Sequence, residues 1–197
     1  MRADAKRNLA KIMDAAAEVV AERGVGAPME LLARRAGVGV GTLYRRFPDR
    51  DALIAALGGH YIDTLSQALD RAAANPAGAW AGVREFVLWC AEPGRTAFNS
   101  ALAGPAADAI GANPDFTAAV EGVWARLDVL VRRAQSGGAM RADFGAGDVM
   151  ALLNVFTCHP AELPAQVSAQ PGRYLSLMLD GMAVRDQPTP AGGAVRD

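Results

Sequence analysis

Thr42, Tyr44 and Arg45 gather a hydroxyl, a phenol and a guanidinium within four residues of one short segment. A hydroxyl or a phenol donates to a phosphate oxygen, and an arginine makes paired hydrogen bonds to guanine or grips phosphate. The Tyr44 ring face and the apolar Val40 suit a thymine methyl, and Gly41 lets backbone approach a duplex closely. This is the chemistry of contact with double-stranded DNA. Arg7, near the start of the chain, adds a second candidate for phosphate.

Bond-making chemistry has no comparable cluster. His60 and His159 lie far apart in sequence, and neither has a metal-ligand spacing such as H-E-x-x-H. Each reads as structural rather than catalytic, with the lining of a pocket as the alternative. Cys90 and Cys158 are the only cysteines. They lack C-x-x-C spacing and sit in apolar surroundings, as reduced, buried thiols do. Gly39-Val-Gly41 lacks the remaining spacing and the preceding strand of a phosphate-binding loop. No serine sits in a nucleophile-elbow motif. The expectation is no catalytic residue, no metal and no cofactor.

The DNA-facing groups need a scaffold. Leu31, Leu32 and Ala36 repeat at helical spacing from Met29, and Gly37 supplies a left-handed stop. The chain restarts at Val40 and runs to about Arg46. Leu43 and Phe47, four apart, face inward, which leaves Thr42, Tyr44, Arg45 and Arg46 outward. Two short helices around a tight turn predict a helix–turn–helix whose second helix enters the major groove.

The run Ala36-Gly-Val-Gly-Val-Gly-Thr-Leu-Tyr-Arg-Arg-Phe47, followed by Pro48-Asp-Arg-Asp-Ala-Leu53, resembles the TetR family of bacterial transcriptional regulators. The likeness is specific over about residues 7–57 and architectural beyond. It implies an all-α chain of about nine helices. Residues 1–48 would form a three-helix DNA-binding domain and residues 49–186 a ligand-binding and dimerisation domain. It also implies that Arg50 grips the DNA backbone from the start of the fourth helix, with Tyr44 and Arg50 exposed in the free protein. Gly39 stands where the family often has serine, which removes one hydroxyl. Ala27-Pro28 stands where a threonine commonly caps the second helix.

Bulk properties agree with this division. The formal net charge is −1 over 197 residues, but residues 1–56 carry ten Lys/Arg against seven Asp/Glu, and the remainder ten against fourteen. A mildly basic head on an acidic body suits one nucleic-acid-facing module. Charges at Asp14, Glu18 and Glu22 interrupt any signal-like apolar start, and no stretch reaches the roughly 18 apolar residues of a membrane span. A cytoplasmic protein without membrane contact is the expectation.

Residues 1–6 read as a loose charged arm, and the first helix as about 7–23, with Leu9, Ile12, Met13, Ala16 and Val20 as its buried stripe. A fourth helix, capped by Asp49, should run to about residue 73. Gly58-Gly59 within it reads either as a bend or as close packing. Further helices are expected over about 77–91, 95–109, 115–136, 147–158 and 171–184, and residues 187–197 read as a disordered tail.

For the body, Trp89, Cys90, Phe98, Asn99, Trp124 and Asn154 are candidate pocket residues. The two amides need partners on otherwise apolar segments, and a pocket offers them. Sparse charge nearby points to an uncharged, mostly apolar effector. The family resemblance implies a homodimer interface on the last two helices, about 147–158 with the stripe Val149, Leu152, Leu153 and Phe156, and about 171–184, where Tyr174, Leu175, Leu177, Met178, Leu179 and Met182 give more apolar surface than one face needs. Together these features predict a dimeric, ligand-responsive repressor on a palindromic operator. The alternative is a helical ligand-binding or enzymatic protein with a vestigial helix–turn–helix.

Overall fold

Helical periodicity organises the described residues. A computed structural model describes residues 2–103, 110 and 113–184, with side chains from residue 9 onward. The tail read at 187–197 lies outside the described residues. The helices are α1 (Arg2–Arg23), α2 (Met29–Arg35), α3 (Val40–Arg46), α4 (Arg50–Ala73), α5 (Ala79–Cys90) and α6 (Pro93–Leu102), then α7 (Pro114–Ser136), α8 (Ala146–Leu153), α9 (Ala165–Ser168) and α10 (Pro171–Met182). Among the described residues there is no strand, only one isolated antiparallel bridge between Met140 and Ala183. The fold is all-α, with an N-terminal helix–turn–helix and a C-terminal helical body.

Boundaries follow local chemistry. Gly37 has φ +67. Its amide donates to the Arg34 carbonyl, and that of Val38 to the Ala33 carbonyl at 3.0 Å. These two bonds satisfy the last carbonyls of α2 and turn the chain into α3. Asp49 caps α4 by accepting from the Ala52 amide at 2.8 Å, and Asn113 caps α7 by accepting from the Asp115 amide at 2.9 Å. Two boundaries differ from expectation. Residues 2–6 continue α1 rather than forming an arm, because Ala and Lys favour helix and no Gly or Pro interrupts them. The short α9, between its flanking prolines, is an addition to the expected helices.

Two cores share α4. The first packs Ile12, Met13, Ala16, Val19 and Val20 of α1 against Leu32, Ala33, Leu43, Phe47, Leu53, Ile54 and Leu57. Phe98 of α6 and Ile110 also join this first core. The second gathers Leu69, Val83, Phe86, Leu127, Leu130, Met140, Val149, Leu175 and Leu179. Leu43 is fully buried, as the pattern requires.

Helix α4 runs unbroken through Gly58-Gly59. A Cβ at Gly58 would lie 3.0 Å from Ile110 Cγ2 and 3.3 Å from Phe116 Cε2, whereas one at Gly59 meets open space. Of the two readings of this pair, Gly58 therefore answers to close packing. A tighter approach occurs at Gly82, where an added Cβ would overlap the backbone carbonyl of Ala72. That glycine lets α5 lie directly against α4.

Candidate functional site

The first candidate surface is the outer face of α3. Leu43 pins the helix to the core, and its neighbours on either side must then face out. Val40 and Tyr44 are among the exposed large apolar residues of the molecule. Arg45 and Arg46 are exposed. Arg45 Nη2 donates to Thr42 Oγ1 at 3.1 Å, so two of the DNA candidates are already oriented together. Arg35, by contrast, is held at the base of this unit by Glu22 at 2.7 Å and Glu18 at 3.3 Å. The Glu22 carboxylate has its pKa lowered, mainly by that hydrogen bond.

Arg50 departs from the expectation of an exposed side chain. It is half-buried, and its Nη1 donates to the Val25 carbonyl at 3.2 Å. The cause is the tight α1–α2 loop, which passes beside the α4 N-terminus and leaves a carbonyl without a helical partner. The side chain of Arg7 lies outside the described residues.

The second candidate is a cavity of about 300 Å³ in the body. Gly58, Tyr61, Ile62 and Leu65 of α4 form one wall, and Phe86 and Cys90 of α5 a second. Asn99, Leu102 and Ala103 come from α6 and its end, and Phe116, Val123 and Trp124 from α7. Met150, Leu153, Asn154, Thr157 and Cys158 close it. Helix α8 ends in a π turn over Asn154–Cys158. There Thr157 Oγ1 donates to the Leu153 carbonyl at 2.8 Å and His159 N to the Asn154 carbonyl at 3.3 Å. π turns of this kind recur at functional sites because the added residue re-aims side chains.

Of the six sequence candidates, Cys90, Asn99, Trp124 and Asn154 reach this cavity; Trp89 and Phe98 do not. Trp89 is one residue from Cys90, hence about 100° around α5. Arg95 covers its ring, with the guanidinium 3.8 Å from the ring centroid. Phe98 turns into the first core, where its ring lies 5.5 Å from that of Tyr61. Periodicity alone reads Tyr61 as core; an aromatic with a polar tip amid aliphatic positions is the signal that could have found it. Thr157 and Cys158 carry no such signal, since the π turn that aims them is not visible as periodicity.

Burial dominates the chemistry of the cavity wall. It pushes the Tyr61 phenol far above its ordinary value, with the Asn99 side chain pulling the other way. It pushes the Cys90 thiol up to about 12 and the Cys158 thiol upward as well. These thiols stay protonated near neutrality and are poor nucleophiles. No group of three or more His, Cys, Asp or Glu positioned for a metal occurs among the described residues.

A basic helix–turn–helix on a helical body with a mostly apolar pocket matches known proteins directly. Residues 12–57 match the model for bacterial regulatory proteins of the tetR family. Residues 75–184 match the C-terminal domain of SbtR-like transcriptional regulators. The chain belongs to the TetR family. It is a DNA-binding transcriptional regulator. It is 31% identical to a TetR transcription regulatory protein from Mycobacterium vanbaalenii, covering 93% of this chain and 99% of that one with a TM-score of 0.69. It is 29% identical to the TetR transcriptional regulator SCO0520 from Streptomyces coelicolor, covering 88% and 97% with a TM-score of 0.68. The ketosteroid transcriptional regulator KstR2 of Mycobacterium tuberculosis, 17% identical over 91% and 96%, shares the fold with a TM-score of 0.64. No functionally curated protein matches the chain. TetR proteins bind DNA operators and small-molecule effectors and form dimers. No described helix is long and apolar enough to cross a membrane.

Proposed function

We propose that this TetR-family regulator is a cytoplasmic, homodimeric repressor, not an enzyme, that releases a palindromic operator when a small, mostly apolar effector fills the cavity. Residues 1–48 act as the DNA-reading head and residues 49–186 as the effector-binding and dimerisation body. Val40, Gly41, Thr42, Tyr44 and Arg45 meet the major groove, and Arg7 and Arg50 meet phosphate. Two recognition helices related by a twofold axis then occupy grooves roughly 34–36 Å apart.

The observation that carries this reading is the double role of α4 and α6. Helix α4 buries Leu53, Ile54 and Leu57 in the head core and lines the cavity with Tyr61, Ile62 and Leu65. Helix α6 buries Phe98 in the head core and lines the cavity with Asn99 and Leu102. An effector that favours one packing of this seam shifts the population of head orientations, and operator affinity changes by the difference in its affinity for the two states.

Dimerisation is supported by α10. It buries Leu175, Leu179 and Met182 internally while leaving Leu177 59% and Met178 40% exposed, with Val155 exposed on the π turn that α10 contacts. Arg84 holds the helix in this rotation through Asp180 at 2.5 Å and Ser176 at 3.3 Å.

The test is a gel shift on the DNA upstream of the protein's own gene, titrated with salt and repeated with sequences selected from random DNA. Specific binding to a twofold site, weakening as salt rises, is expected. A monomer on a single unpaired half-site, or no binding to any selected sequence, overturns the reading.

A further inference from the structure

The cavity also constrains the chemical class of its ligand; this inference rests on the reading of the cavity as the effector site. Among the described residues its wall contains no Asp, Glu, Lys or Arg. Arg95, whose charge acts on Tyr61 and Cys90, is already engaged. Its Nε donates to the Trp89 carbonyl at 2.8 Å, its guanidinium covers the Trp89 ring, and its Nη2 pairs with Glu92. An ionised group buried against this wall would lose water and meet no opposite charge among the described residues, which is unfavourable.

The polar side chains on the wall are few, and they are not equivalent: the Asn154 amide sits on an exposed residue, where water can satisfy it. The Thr157 hydroxyl is used as a donor to Leu153. Tyr61 of α4 and Asn99 of α6 line the cavity together at the α4–α6 seam, and the Asn99 side chain counters the burial that raises the Tyr61 phenol. Neither side chain makes a hydrogen bond among those described, yet neither polar end is sealed away. Thr96 Oγ1 is the one buried side-chain N or O atom without a partner among those residues. Tyr61 and Asn99 thus keep open polar capacity toward the cavity. Burial keeps the phenol protonated at every physiological pH, so it offers an O–H donor. The Phe98 ring contact fixes the orientation of the Tyr61 ring.

We propose that the effector is an uncharged, largely hydrocarbon molecule with a carbonyl oxygen that accepts a hydrogen bond from Tyr61, beside Asn99. At about 300 Å³ the cavity holds about ten water-sized groups, so the ligand is small. Its oxygen engages the residues that join α4 to α6, and these two helices also pack the head. The polar group is thus the part of the ligand placed to sense the seam, and the hydrocarbon part supplies affinity.

The test uses the full-length dimer and three probes of similar size: 2-nonanone, nonanoate and naphthalene. Binding is read by titration calorimetry and by thermal shift at pH 7.5. The ketone is expected to bind at least tenfold more tightly than the carboxylate. Tyr61→Phe keeps the ring and should weaken the ketone about tenfold, as loss of one hydrogen bond does, while leaving naphthalene unchanged. Asn99→Leu should act in the same direction. Nonanoate binding as tightly as the ketone, or Tyr61→Phe binding the ketone like the natural protein, overturns the proposal. Ala103→Trp, which fills the cavity from its wall, separates the two levels. It should abolish binding of both ketone and naphthalene. Ketone binding that survives in this variant places the ligand elsewhere and overturns the cavity reading itself. Failure of all three probes to bind the natural protein does the same.

Discussion

Gly58 and Gly59 are neighbours on one helix, and replacing each by alanine separates two physical effects cleanly. In the interior of α4 both substitutions gain the same helix propensity, roughly 1 kcal/mol. They differ only in what the new methyl meets. At Gly59 it meets open space. At Gly58 it lies 3.0 Å from Ile110 Cγ2 and 3.3 Å from Phe116 Cε2, closer than carbon atoms pack comfortably. Forcing a methyl into a filled site costs about 1–3 kcal/mol. Propensity cancels in the comparison, so Gly59→Ala should be the more stable variant by about 1–3 kcal/mol, the overpacking cost alone. For a chain of this length that is a Tm difference of roughly 2–12 °C, taking 2–4 °C per kcal/mol. Chemical and thermal denaturation at one protein concentration measure it, the concentration being fixed because dimerisation also contributes to stability. Equal stabilisation by both substitutions would refute the packing argument. It would mean that Ile110 and Phe116 do not clamp α4, and bending at the pair would again be the better account.

Gly82→Ala should destabilise by more than about 3 kcal/mol, since its methyl overlaps a backbone carbonyl that cannot swing aside; a denaturation midpoint near that of the natural protein would show that α5 can slide. Tyr44→Ala should change stability by about 0.5 kcal/mol or less, being exposed, while weakening operator binding in a filter or anisotropy assay. Arg50→Ala should both weaken operator binding at all sequences alike, with a salt slope flatter by about one unit, and cost about 1 kcal/mol from the lost bond to Val25. Cys90, raised from 9.0 to about 12 by burial, contributes stability present in full below pH 9 and lost as pH rises toward 12. That loss is at most about 4 kcal/mol, and Cys90→Ser should make the alkaline limb of the stability–pH profile shallower.

The legible parts of this chain were those governed by local chemistry. Gly37 after a short apolar repeat could only be a left-handed stop, and the structure has it at φ +67. Asp49 at the start of a helical pattern reads as a cap, and it accepts from the Ala52 amide. Leu43 and Phe47, four apart, fixed which side of α3 faces out. The cavity was legible in part, because a polar group on an apolar helix face, such as Asn99 or Asn154, needs a partner or a space. Trp89 and Phe98 misled because large size marks burial without saying against what. Each sits one residue from a wall residue and about 100° away around its helix. Choosing between them requires the rotation of α5 and α6 about their axes, which tertiary packing sets. The π turn hides Thr157 and Cys158 for a related reason: one extra residue re-registers the turn without leaving a mark in the hydrophobic period.

The energetic demand on such a regulator is modest when it is shared. Moving a two-state equilibrium from 1:99 to 99:1 takes about 5.5 kcal/mol of differential binding. The proposed twofold dimer would carry two cavities, so each would have to supply about 2.7 kcal/mol of preference for the released state. A very small ligand gains at most about 1.5 kcal/mol per non-hydrogen atom, so about ten atoms bind with up to about 15 kcal/mol in the best case. Roughly a fifth of that must discriminate between the two packings of the seam. One hydrogen bond that forms in only one packing contributes about 1 kcal/mol. Burying about two more methylene groups of the ligand against α4 and α6 in that same packing supplies the remainder, at about 0.8 kcal/mol each. Helix α4 joins Leu57 in the head core to Gly58 and Tyr61 on the cavity wall within little more than a single turn. On the proposed mechanism, a ligand-induced shift has only about one turn of α4 to cross before it meets the head core.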